Sequence, residues 1–148
     1  MAANYKQGFY KPKHPEKYRG DPNNIVYRSG WEKRVMDWCD TNKSVISWGS
    51  EEVVIPYVSP IDNRMHRYFV DFYVEAYDNS GKKQVYLLEV KPKGQTQEPV
   101  PSKRKTKRYI NEVFTWGVNQ AKWKAAEEYC NNKGWTFRLI TEADLFKK

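Results

Sequence analysis

The chain has 148 residues, enough for one domain with a real core, and its 26 Lys and Arg against 18 Asp and Glu leave a net charge of +8 that suits a polyanionic partner, most simply nucleic acid. Only 39% of the residues are apolar, but 16% are aromatic, and rings that bury large areas make a packed globule feasible. No apolar run reaches membrane-spanning length, no secretory h-region is present, and Cys39, Cys130, His14 and His66 form neither a zinc spacing nor a nucleophilic triad. The expectation is an intracellular protein with free thiols and no membrane association.

Residues 1–26 interleave Lys6, Lys11, Lys13, Lys17 and Arg19 with Tyr5, Phe9, Tyr10 and Tyr18. Pro12, Pro15, Pro22 and Gly20 punctuate them, so this basic arm is expected to lack regular structure. It suits a disordered tail, or an arm that tracks phosphates or docks on a partner. A domain over residues 27–148 follows. Ser29 and Glu32 spell a capping box that opens a helix to about Asn42, with Trp31, Val35, Trp38 and Cys39 on its inward face. Glu32 lies at the edge of that face, where it either caps the helix or reaches over the rim.

Two strand candidates, Val45 to Trp48 and Glu52 to Tyr57, flank Gly49-Ser50, and the Ser59 to Asn63 stretch reads as a loop. The next run, Arg67-Tyr68-Phe69-Val70-Asp71-Phe72-Tyr73-Val74, reads as one strand whose even positions form an apolar stripe through Ala76. After the turn-type cluster Asp78-Asn79-Ser80-Gly81-Lys82 comes a strand ending Leu87-Leu88-Glu89-Val90-Lys91-Pro92-Lys93. If the loop centres on Ser80, paired positions sum to 160, and Asp71 faces Glu89 with Lys91 on the same side. A solvated strand face often carries such charges. However, opposed carboxylates repel unless a cation stands between them, and all-oxygen ligands suit Mg²⁺ or Mn²⁺.

Residues 91–108 hold seven Lys or Arg against Glu98 alone, with three prolines: a solvated linker, or a phosphate-holding one beside the carboxylates. Tyr109 to Trp116 reads as a short helix closed by Gly117, and Asn119 to Lys133 as a second, with Trp123, Ala126, Tyr129 and Cys130 on one side and Gly134 past its end. A strand from Trp135 to Ile140 and a capped terminal helix at Thr141-Glu142-Ala143-Asp144 complete the chain. The class is α/β, with a central mixed sheet flanked by helices in a single domain.

Glu32 on a helix, Asp71 on a strand and Glu89-Val90-Lys91 on the next strand resemble the PD-(D/E)XK nuclease signature, with Val70 where that signature often has Pro. Longer stretches resemble the head-completion nucleases of T-even-type tailed phages. They are Tyr18-Arg19-Gly20-Asp21-Pro22, Tyr27-Arg28-Ser29-Gly30-Trp31-Glu32, Trp48-Gly49-Ser50-Glu51, Ile55-Pro56-Tyr57, Arg67-Tyr68-Phe69-Val70-Asp71, Glu89-Val90-Lys91-Pro92-Lys93, Asn119-Gln120-Ala121-Lys122-Trp123-Lys124-Ala125-Ala126 and Phe137-Arg138-Leu139-Ile140-Thr141-Glu142. A more distant likeness is to the TnsA-type transposon endonuclease.

The resemblance implies a restriction-endonuclease-like fold and cleavage of double-stranded DNA late in phage assembly. It implies Mg²⁺, replaceable by Mn²⁺, on Asp71, Glu89 and the Val90 carbonyl, with Glu32 at a second position and Lys91 beside the attacking water. Nucleic-acid contacts are expected from Lys93, Lys103, Arg104, Lys105, Lys107, Arg108, Gln120 and Lys122. Phage head, portal or neck proteins are the expected partners, in the host cytoplasm or on the virion. A non-catalytic DNA-binding head or neck protein, or a junction-resolving or restriction-type nuclease, would share many of these features.

Overall fold

The computed structural model describes residues 7–101 and 104–146, so Lys103 lies outside the described residues. In chain order the elements are β1 (Gly8–Phe9), β2 (Val26–Tyr27), α1 (Gly30–Thr41), β3 (Val45–Ser50), β4 (Val54–Val58), β5 (Met65–Phe69), β6 (Phe72–Tyr77), β7 (Lys83–Val90), α2 (Lys107–Lys133), β8 (Thr136–Ile140) and α3 (Glu142–Leu145). The central sheet has the order β3-β6-β7-β8. Its first three strands are antiparallel, and β8 joins β7 in parallel after the α2 crossover, so the sheet is mixed and the fold α/β. Among the described residues no helix is long and apolar enough to cross a membrane.

Two cores flank the sheet. On one face Val35, Met36 and Cys39 of α1 pack with Trp48, Phe72, Val74 and Leu88. On the other, Trp123, Ala126 and Cys130 of α2 pack with Tyr73, Leu87 and the inner face of the β4–β5 hairpin, Ile55, Tyr57 and Tyr68. Both cysteines are free thiols within these cores.

The β6–β7 hairpin has the expected register, from Tyr77↔Lys83 to Phe72↔Leu88. Gly81 takes φ 80° in its turn, a conformation glycine adopts without a Cβ clash. The run from Arg67 to Val74, however, is two strands. The Val70 N–H donates to Val53 O (3.1 Å) and the Asp71 carbonyl accepts from Glu51 N–H (3.0 Å), so the chain leaves the β4–β5 pairing and enters the central sheet between these residues. The apolar stripe is buried throughout but changes core at this bend: Tyr68 and Val70 join the α2 side, and Phe72, Val74 and Ala76 the α1 side.

Gly49-Ser50 likewise does not separate two strands, because both residues continue β3 against Tyr73 and Phe72. The break falls one residue later, where Glu51 has φ 56°. Nor does Gly117 end a helix: α2 runs unbroken from its Thr106 cap to Gly134, whose φ of 73° closes it. On α1, Met36 is fully buried while Trp38 is 49% exposed, so the inward face is turned one position from the expected one.

The expectation of an arm without regular structure also gives way over its described part. β1 pairs with β2, Tyr10 and Ile25 are buried, and Tyr18 packs edge-on against Trp48 with ring centroids 4.7 Å apart. The anchor is Asp40 on α1, whose carboxylate accepts from the Lys13 N–H (2.7 Å) and the His14 N–H (3.0 Å).

Candidate active site

The site grows out of the hairpin register. One step beyond Phe72↔Leu88, Asp71 stands opposite Glu89, and the Val90 N–H donates to Asp71 Oδ2 at 2.8 Å. Glu89 and Lys91 follow Leu87 on the α2 face of the sheet, as the two-residue side-chain period requires. Lys91 Nζ lies 3.7 Å from Glu89 Oε2, and its side chain remains 27% exposed while that of Glu89 is 6% exposed. The buried carboxylate thus has a cation on its solvent side.

Burial first, and then the charge of Glu89, hold the Asp71 carboxyl well above the usual carboxylate range, against the stabilising Val90 N–H. Burial also raises Glu89, opposed by Lys91. Glu89 Oε1 is fully buried and has no hydrogen-bond partner, and the Tyr68 hydroxyl is buried and unpartnered too. The nearby hydroxyl favours the charged form of Glu89, yet the two atoms do not meet in hydrogen-bond geometry. Lys122 reaches in from α2, its ammonium 5.5 Å from the Tyr68 ring centroid and 5.9 Å from that of Tyr57. Burial and the neighbouring Lys91 lower the Lys122 pKa.

Whether these residues suit a divalent cation is answered by Glu89 itself. A buried carboxylate oxygen with no donor, beside a second carboxyl raised by repulsion, is a site short of positive charge. The donors are oxygens, the set preferred by hard cations. Among the described residues no group of three or more His, Cys, Asp or Glu is gathered to hold a metal ion, so the core of the site is the Asp71–Glu89 pair.

Glu32 stands beside that pair rather than in it. Ser29 Oγ caps α1 by accepting from the Glu32 N–H (3.1 Å), but Glu32 Oε1 accepts from the Arg28 N–H (3.1 Å) and not from Ser29. Burial raises the Glu32 pKa, and its charge acts on Asp71 while Lys91 acts on it. The Arg28 guanidinium binds Glu51 at 2.5 Å. Glu51 in turn donates its N–H to the Asp71 carbonyl (3.0 Å), so the start of α1 is tied to the bend that presents Asp71.

The candidate DNA contacts are distributed differently. Lys93, Arg104, Lys105, Lys107, Arg108 and Gln120 are solvent-exposed, and only Lys122 falls within the field of the acidic pair. Arg108 pairs with Glu112 at 3.1 Å, and the Lys93 N–H donates to Glu142 Oε1 at 2.6 Å. Sequence reasoning missed Tyr68, read only as part of an apolar stripe, and the Arg28–Glu51 pair. Both members of that pair lie in the stretches that carry the family resemblance, which was the available signal.

Residues 42–142 match the family model of the TnsA-like endonuclease N-terminal domain. The chain is also 45% identical over 142 residues to the head completion nuclease of Enterobacteria phage T4, an alignment that spans 93% of this chain and 92% of that protein.

Proposed function

The chain belongs to the TnsA-like endonuclease family, and from that premise we propose that it is a metal-dependent endonuclease that hydrolyses DNA late in phage head completion, before heads and tails join. The observation that carries the metal dependence is the unpartnered, buried Glu89 Oε1 beside Asp71 and Lys91. Its relative's name supports the place in head completion, and the net charge of +8 supports a DNA substrate. Action in the host cytoplasm, and contact with portal or neck proteins, belong to the same proposal.

In this reading Asp71, Glu89 and the Val90 carbonyl hold Mg²⁺ or Mn²⁺, with Glu32 supporting a second position or its water. When bound, such a cation supplies charge that acidifies a water and withdraws electrons from the scissile phosphate. Lys91, held on the solvent side of Glu89, orients the attacking water and offsets charge that builds on the phosphoryl oxygens. Lys122 adds a second positive charge that approaches the same place from α2. The Arg28–Glu51–Asp71 connection keeps the bend in position, so the carboxylates need little rearrangement.

Supercoiled plasmid tests the reading directly. Nicking is expected with Mg²⁺ or Mn²⁺ and none with EDTA, while Ca²⁺ supports binding without cleavage because its looser geometry activates water poorly. Robust nicking in EDTA would remove the cation from the reading. Binding without cleavage under every condition would leave a DNA-binding head protein.

A further inference from the structure

An open groove of about 780 Å³ runs between residues 94–99 and one face of α2. Its lining includes Gln95, Gln97, Asn111, Thr115, Trp116 and Asn119. Four carboxamides, a hydroxyl and an indole line it, together with the Arg108–Glu112 ion pair. The carboxamides both donate and accept. Asn119 is the telling member: it is 4% exposed, and no hydrogen bond engages its carboxamide among the described residues. A nearly buried side chain that lines the groove without an internal bond keeps its amide available to a ligand there.

The α2 wall of the groove continues along the helix to Lys122. Asn111, Thr115, Asn119 and Lys122 follow one another at spacings of four, four and three, a single stripe on α2 about 16 Å long at 1.5 Å per residue. Lys122 lies within the field of Glu89 and Asp71. On the opposite wall Gln95 follows Lys91 by four residues, and its N–H donates to Pro92 O at 2.9 Å. The stripe spans about five nucleotide steps at the duplex spacing of 3.4 Å per strand.

We propose that this groove takes unpaired nucleotides of the DNA substrate, their bases read by the recessed carboxamides and stacked on Trp116; the proposal rests on the nuclease reading and names its substrate class. Asn and Gln side chains match the paired donor and acceptor of a base edge, and an aromatic face accepts any base by stacking. A base inside a duplex is read by an element that protrudes into a groove of the DNA. Asn119 is recessed, so a base must leave its stack to meet it. DNA with a single-stranded gap, flap or frayed end is therefore the preferred ligand.

Fluorescence anisotropy in EDTA compares a blunt duplex with the same duplex carrying a short single-stranded gap, without any contribution from cleavage. The gapped DNA is expected to bind about tenfold more tightly, the scale of one stacked base. Asn119→Ala combined with Asn111→Ala should erase that preference and leave blunt-duplex affinity within about twofold. Asn111→Ala alone, at the exposed wall of the groove, should weaken the preference without threatening the fold. The melting temperature of Asn119→Ala is expected to hold, because no internal bond is lost.

Equal affinity of the wild-type protein for gapped and blunt DNA would overturn the proposal, as would a preference that survives both substitutions. A parallel loss of melting temperature and of both affinities would overturn it too, since Asn119 would then be structural. Intact gap preference with no Mg²⁺-dependent cleavage of either DNA would instead refute the nuclease reading while leaving the groove's ligand established.

Discussion

Asp40 and Glu89 are the two acidic residues that the fold buries among the described residues, at 0% and 5% exposure, and they are treated in opposite ways. Asp40, on the α1 side, accepts from the Lys13 and His14 N–H groups at 2.7 and 3.0 Å and from the Tyr10 hydroxyl at 3.4 Å. Even its main-chain carbonyl is engaged, by Lys17 Nζ at 3.1 Å. Glu89, on the α2 side, has Lys91 Nζ at 3.7 Å from one oxygen and no partner on the other. A carboxylate whose oxygens are filled by backbone donors holds a chain segment in place. One buried opposite another carboxylate, with an oxygen empty, holds itself ready for something else.

The contrast extends to the surroundings. The α2 side also carries the unpartnered Tyr68 hydroxyl and the unpartnered Trp123 Nε1, the one near the Asp71–Glu89 pair and the other on α2. On the α1 side Trp48 Nε1 is the corresponding case, and it sits under the docked arm with Tyr10 and Tyr18 edge-on to its ring. One face of the sheet thus spends its polar groups on joining the N-terminal segment to the domain. The other keeps them unspent around a solvent-facing cation pair.

The largest effects come from exchanging these fates. Glu89→Gln should lower Mg²⁺-dependent nicking by about 10²–10³-fold or more, the scale of losing a central charge-stabilising group. Its melting temperature should hold or rise, since the substitution removes the repulsion with Asp71. Asp40→Ala should do the reverse: it strands the Lys13 and His14 donors and costs about 3–5 kcal/mol of stability, as breaking a buried charged network does, while the folded fraction still cleaves. A Glu89→Gln protein as unstable as Asp40→Ala would erase the distinction.

Lys91→Ala comes next and sharpens the α2 side. Nicking should fall below detection while DNA affinity stays within about twofold, because binding draws on many cations and one phosphate charge is a small part of them. Near-normal cleavage by this variant would move the chemistry away from the Glu89–Lys91 pair.

Glu32 lies between the two regimes, with a backbone bond from Arg28 and a charge that acts on Asp71. In Glu32→Gln the amide oxygen can still accept from Arg28, so stability should change by no more than about 0.5 kcal/mol. Cleavage should nevertheless fall by orders of magnitude, since a neutral amide is a poor cation ligand. Melting temperature and nicking from one preparation separate the roles, and full activity would return Glu32 to the helix start alone.

Which of these features could be read in the sequence follows from how local their causes are. The approach of Asp71 to Glu89 was legible because the turn around Gly81 sets the register of the adjoining hairpin and the pleat alternates by two. The capped starts of α1 and α3 were legible for the same reason, since Ser29 and Thr141 each act within three residues. The bend at Val70–Asp71 was not, because Tyr68 through Ala76 alternates without interruption and every even position is buried on one side or the other. Only the long-range bonds to Val53 and Glu51 reveal it. The docked arm was hidden likewise, since its prolines and lysines look unstructured until Asp40, 27 residues beyond Lys13, supplies the acceptor.

The smallest effect tests whether α2, which carries Lys122, Asn119 and the buried Trp123, is one rigid rod. Its Gly117 stands in mid-helix, where a glycine ordinarily signals an end, and it takes no positive φ there. A Cβ added at this position would meet Pro60 Cγ at 3.7 Å, an ordinary contact. Gly117→Ala should therefore stabilise the protein by about 0.5–1 kcal/mol, by restricting the unfolded chain and favouring the helix, with cleavage unchanged. Were the helix broken at Gly117 in solution, the same substitution would be neutral or destabilising and would disturb the approach of Lys122 to Glu89. A urea midpoint measured alongside Mg²⁺-dependent nicking distinguishes the cases: a higher midpoint with full activity keeps α2 continuous, and a lower one divides it where the sequence pattern alone would.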